Sequence, residues 1–156
     1  MKSNLGTILY NTAALTFDEL GFMFVTPELE EDQKRITPDT EASVIFEGPF
    51  RGRLSVAVCR GLLTVLAANM LGEDEPPSEQ QQRDALGEIA NVICGNVLPE
   101  VAGAKEVFEI RAPQVKEYNP SSVDAAASLV AETCLALEQG RADVRLYLDT
   151  PVDSTG

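Results

Sequence analysis

The most regular pattern in the chain lies between Ser78 and Leu98. Ser78 is followed three residues later by Gln81, the spacing of a capping box in which each side chain satisfies the other residue's backbone amide. Leu86, Ile89, Ile93 and Val97 then recur at intervals that put them on one side of an α-helix, at roughly 100° per residue. Pro99 lies near the expected end. A helix of this length with one apolar side must bury that side against another layer, so the rest of the chain has to supply it.

Two strand pairs do so. Ala42–Glu47 and Arg51–Val58 flank Gly48 and Pro49, and Leu54, Val56 and Val58 alternate with Arg53, Ser55 and Ala57. Ser128–Leu137 and Ala142–Leu148 read as a second pair around a Gln139-Gly140 turn, with Val144, Leu146 and Leu148 alternating against Asp143, Arg145 and Tyr147. Glu106–Ala112 reads as a further strand. Helical spacing is also present over Asn4–Phe17 and over Gly61–Leu71, the latter stopped by Gly72. Thr26–Glu41 reads as a solvated connection in preference to a binding loop, Glu73–Pro77 as an acidic linker and Tyr118–Asp124 as turn-rich. Phe22 and Phe24 read as part of a core strand or helix end, with an exposed docking patch as the alternative. Runs of strands between helices argue against a simple parallel Rossmann sheet. The expected fold is an α/β sandwich, in α+β order, with a largely antiparallel sheet and the long helix across it. Residues 1–150 form one domain and 151–156 a tail. Helix-then-strands occurs twice, which hints at an internal duplication without clear sequence repetition.

Charge and residue usage narrow the chemistry. Among the 156 residues, 25 acids against 12 bases give a formal charge of −13, which repels phosphate backbones and anionic lipid surfaces. The chain therefore reads as binding neither nucleic acid nor membrane, and no stretch approaches the roughly 20 apolar residues that span a bilayer. There is no histidine, which excludes Ser–His triads, Cys–His dyads and imidazole metal ligands. Cys59, Cys94 and Cys134 are far apart with no CxxC, which argues against zinc and for a reducing cytoplasm. A buried free thiol is the commoner state for Cys59 and Cys94 than a redox role. No GxGxxG or GxxxxGK[ST] is present to hold nucleotide phosphates. The expectation is a cytoplasmic protein with no cofactor or metal of its own.

On the long helix, Asp84, Glu88, Asn91 and Gly95 fall in one narrow stripe opposite the apolar side. Gly87 and Gly95 flank it, although glycine costs about 1 kcal/mol in a helix interior relative to alanine, and small residues there let another surface approach. An acid and an amide one turn apart can jointly hold a cation and a water: the glutamate accepts from an ammonium, and the amide both donates and accepts. The bland reading is a solvated polar face. Asp84 either orients its neighbours or simply favours the helix dipole from the first turns.

The segment Gly87-Glu88-Ile89-Ala90-Asn91-Val92-Ile93-Cys94-Gly95-Asn96 resembles the signature of the CheC/CheX/FliY family of chemotaxis phosphatases. That signature has an acid or serine, three residues, Glu, two residues, Asn, and a later proline. Asp84, Glu88 and Asn91 match it, while Pro113 stands one residue short of the family spacing. One copy on a long helix looks most like CheX, whereas CheC-like members carry two. Asn69 is a candidate relic of the other copy, with Leu66 where its acid should be. The resemblance implies a homodimer that hydrolyses the acyl phosphate on the aspartate of a response-regulator receiver domain. It implies that Glu88 pairs with the receiver's lysine, that Asn91 orients the attacking water, and that the Mg2+ belongs to the receiver. The alternative is a non-catalytic module that binds a receiver or a flagellar-switch-like assembly.

Overall fold

The structure, a computed structural model, describes residues 2–72, 75–119, 128–138 and 140–149. The elements run α1 (Lys2–Gly21), β1 (Val25–Thr26), α2 (Glu31–Lys34), β2 (Thr40–Glu47), β3 (Arg51–Val58), α3 (Arg60–Leu71) and α4 (Glu79–Ala102). There follow β4 (Glu109–Ile110), β5 (Gln114–Glu117), β6 (Ser128–Leu137) and β7 (Gly140–Leu148). The strands form one seven-stranded sheet in the order β1-β6-β7-β3-β2-β4, with β5 also on β2, and every pairing is antiparallel. α1, α3 and α4 pack together on one face. The core lies between these layers, where Val44, Phe46, Val56, Val144 and Leu135 meet Ala13 and Phe17 of α1, Leu62 and Leu66 of α3, and Leu86, Ile89 and Ile93 of α4. The alternation read from the sequence is the alternation of the sheet: Leu54, Val56 and Val58 face the helices, and Arg53 and Ser55 face away. The expected antiparallel sandwich with a long helix across it is what the chain adopts.

The differences from the sequence reading have local causes. α1 runs past Phe17 to Gly21, and Phe22 then takes a left-handed conformation (φ 53°) that lets the Met23 amide donate to the Phe17 carbonyl. Met23 turns into the core at 2% exposure, which turns Phe22 and Phe24 outward at 69% and 77%. Those two rings are therefore surface groups, not core. Within the expected loop 26–41, Glu30 and Gln33 form a capping box around the short helix α2. Of the expected strand over Glu106–Ala112, only Glu109–Ile110 pairs with β2. Pro113 has no N–H to give the ladder, so the strand breaks there and resumes as β5. The Gln139 half of the expected turn, most of the turn-rich stretch Tyr118–Asp124 and the tail lie outside the described residues.

The duplication is visible in the topology. α1-β1-β2-β3 and α4-(β4, β5)-β6-β7 are each a helix, an outer strand and a hairpin. The hairpins meet through β3 and β7, and each unit's outer strand adds to the other unit's hairpin, β1 to β6 and β4 and β5 to β2. α1 is thus the counterpart of α4, and Leu5-Gly6-Thr7-Ile8 parallels Leu86-Gly87-Glu88-Ile89. Asn69 is no relic of that site. It belongs to α3, and its amide donates to the Gly21 carbonyl (2.8 Å), tying α3 to the end of α1.

Candidate functional site

α4 starts as its sequence requires. The Gln81 amide donates to Ser78 Oγ (3.1 Å) and the Ser78 amide donates to Gln81 Oε1 (2.8 Å). Leu86, Ile89, Ile93 and Val97 are buried, which turns the opposite stripe outward: Asp84, Glu88 and Gly95 are exposed and Asn91 is half-buried. The helix continues through Pro99 to Ala102. Asp84 Oδ1 accepts from Gln80 Nε2 at 2.8 Å. The Glu88 carboxylate and the Asn91 amide have no hydrogen-bond or ion-pair partner among the described residues.

These groups border a cavity of about 340 Å³ between α4 and the start of β5. Its walls are Gln80, Arg83, Asp84, Gly87, Glu88 and Asn91 on one side and Pro113 and Val115 on the other. The absence of a side chain at Gly87 lets Pro113 in: a Cβ there would stand 3.1 Å from Pro113 Cγ. The surface that approaches Gly87 is therefore the chain's own. At Gly95 no atom lies within 4 Å of such a Cβ, so that position remains open to another molecule.

Gln80, Arg83 and Val115 were not anticipated as neighbours of the stripe. Gln80 could have been found by extending the stripe one turn towards the N-terminus from Asp84. Arg83 offers the signal of being the only basic residue in α4. Val115 carries no local sign, because its place depends on sheet pairing. A larger cavity, about 490 Å³, opens between the first turns of α3 and α4, with Asp39, Arg60, Gln82, Arg83 and Tyr118 in its walls. It contains none of Asp84, Glu88, Asn91 and Gly95, so volume alone does not mark the site.

Cys59 and Cys94 are buried and Cys134 is half-buried. Burial pushes the Cys94 thiol up to about 12, so it lies behind the stripe as a neutral core group. Among the described residues no group of three Cys, Asp or Glu side chains is placed to hold a metal ion. No described helix is long and apolar enough to cross a membrane.

Comparison with known structures shows where this fold recurs. CheX from Vibrio vulnificus superposes with a TM-score of 0.74 at 17% identity, over 95% of this chain and 98% of the other. CheX from Desulfovibrio desulfuricans gives 0.72 at 19% identity, over 93% and 99%. The complex of CheX with CheY, BeF3 and Mg2+ from Borrelia burgdorferi gives 0.67 at 13% identity, over 92% and 97%. At these identities the likeness establishes the fold. No match was found among curated proteins. The family described as chemotaxis phosphatase CheX matches residues 40–134, a span that contains the whole stripe and Pro113. With more than half of its length matched by that family and its sheet and helices in the same arrangement, the chain belongs to the CheX family.

Proposed function

We propose that this chain hydrolyses the acyl phosphate on the aspartate of a response-regulator receiver domain, with Glu88 and Asn91 as its working groups. The observation that carries the reading is that these two side chains stand one turn apart, uncommitted, at the edge of a cavity on the family-matched helix. The Borrelia relative, complexed with CheY, BeF3 and Mg2+, supports a receiver as the partner. Glu88 accepts a charge-assisted bond from the receiver's lysine, worth roughly 1.5–3 kcal/mol. Asn91 reaches beside the phosphoryl group and holds a water in line with the scissile bond, and such positioning can supply several kcal/mol of a hydrolysis barrier. Asp84, already held by Gln80, and Gly95, with its open approach, support the docking face. The Mg2+ is the receiver's, and the chain brings no cofactor of its own.

A homodimer through sheet edges accompanies this reading. Among the described residues β1 covers only Ala136 and Leu137 of β6, which leaves the stretch from Leu129 to Leu135 as an open edge, with Phe24 exposed just before β1. An exposed edge of that length needs a partner or a cover.

The test is the phosphate lifetime of receiver domains from the same genome, phosphorylated with acetyl phosphate. Wild type should shorten it. Asn91→Ala should lose most of the acceleration with an unchanged melting transition, because no core cavity is made. Glu88→Ala should weaken docking as well as turnover. Variants as active as wild type reduce the stripe to a solvated face. A wild type that binds receivers without shortening the lifetime is a binding module.

A further inference from the structure

Pro113 forms one wall of the cavity and is held there through its neighbours in the chain. Upstream, Phe108 is packed edge-to-face on Phe46 and Phe50, and the Arg111 amide donates to the Ile45 carbonyl. Pro113 itself has no N–H for the ladder. β5 is four residues long and pairs with β2 alone among the described residues. On the helix side Val115 packs against the core and lies near Gly87, and among the described residues the one polar side chain of α4 that reaches the segment is Arg83.

The Arg83 guanidinium donates from Nη1 to the Val115 carbonyl (3.4 Å), and its Nη2 lies 3.8 Å from the Glu79 carboxylate one turn earlier. An exposed pair such as Glu79–Arg83 contributes little by itself. The guanidinium is a rigid fork, so with one edge towards Glu79 its other N–H groups turn towards β5. That direction is the β5 carbonyl two residues beyond Pro113. The same side chain separates the cavity beside Glu88 and Asn91 from the larger one at the start of α3. Arg83 borders the same cavity as Asn91 but from about two turns earlier on α4. Eight residues of helix put their backbones about 12 Å apart along the axis.

We infer that Arg83 is a positioning residue: it latches edge strand β5 onto α4 and so keeps Pro113 seated on Gly87, opposite Glu88 and Asn91. The effect on turnover rests on the phosphatase reading, while the latch itself does not. Arg83→Gln and Arg83→Lys, each in the full chain, separate the two. Hydrogen exchange of the β5 amides should quicken about fivefold or more in Arg83→Gln. In receiver dephosphorylation, Arg83→Gln should lower kcat about tenfold with KM within about twofold, the pattern of a displaced site rather than a lost contact. Arg83→Lys, which can still donate to the Val115 carbonyl, should recover part of both. Unchanged β5 exchange in Arg83→Gln overturns the latch whatever the activity does. A raised KM at unchanged kcat makes Arg83 a docking contact and overturns its positioning role. A wild type without activity defeats the phosphatase reading, and the exchange result still decides the latch.

Discussion

Two glycines on one helix offer a controlled comparison. Gly87 and Gly95 both lie in α4, and alanine at either should gain about 1 kcal/mol of helix propensity. Their surroundings differ. At Gly95 a Cβ meets nothing within 4 Å, so Gly95→Ala should keep the full gain. At Gly87 it would lie 3.1 Å from Pro113 Cγ and 3.4 Å from Pro113 Cβ. Carbon atoms settle at about 3.5–4.0 Å, so Pro113 must retreat by at least about 0.4 Å. Overpacking of this kind costs about 1–3 kcal/mol, which cancels or exceeds the propensity gain. The two variants should therefore differ by about 1–3 kcal/mol, with Gly95→Ala the more stable. At about 2–4 °C per kcal/mol for a chain of this size, that gap is several degrees in a thermal melt. Activity should separate them differently. If the proposed phosphatase reading holds, Gly95→Ala should melt higher than wild type yet shorten a receiver's phosphate lifetime less, because its methyl group occupies the docking face. Gly87→Ala loses activity by moving the cavity wall, and adding Pro113→Ala should remove most of its stability cost, which a double-mutant cycle measures. If Gly87→Ala melts with Gly95→Ala, Pro113 has slack at this contact and the wall argument fails.

Two further outcomes are open to measurement. Cys94 is raised by burial from 9.0 to about 12, so between those values the folded protein keeps a proton that the unfolded chain has lost. Stability from this group is full below pH 9 and falls at up to about 1.4 kcal/mol per pH unit above it. The stability difference between wild type and Cys94→Ala in urea should shrink as pH rises from 9 towards 11, and parallel curves would refute the assignment. For the proposed homodimer, light scattering at roughly tens of micromolar should give twice the chain mass, and a monomer at that concentration sinks it.

What could be read from the sequence was what short-range periodicity encodes. The apolar side of α4, its Ser78–Gln81 cap, the αL stop at Gly72 (φ 66°) and the inward rows of β3 and β7 each depend on residues a few positions apart. The exposed stripe followed from the buried one by subtraction. What escaped depends on contacts between distant segments. Phe22 and Phe24 look like core residues by composition, but the left-handed turn at Phe22 gives the one inward position to Met23. The split between β4 and β5 at Pro113 is explained once β2 is known to be their partner, and the bond from Arg83 to Val115 needs that pairing first.

The two halves of the fold also bear on why the proposed chemistry belongs to α4 alone. α1 occupies the equivalent place, yet Thr7 stands where α4 has Glu88 and Tyr10 where it has Asn91. A hydroxyl carries no charge, so Thr7 cannot give an approaching ammonium the charge-assisted bond that a carboxylate gives. Tyr10 is half-buried against the core, and a phenol has one rotatable O–H where an amide offers separate donor and acceptor groups for a water. Gly6, the counterpart of Gly87, faces open space with no proline against it. The backbone symmetry is retained because both hairpins and both outer strands share one sheet and one core, and losing either half would expose the other. The side chains on the outward stripe carry no such obligation. They can diverge at little cost to stability, which leaves a symmetric scaffold with a carboxylate, an amide and a proline wall on one helix only.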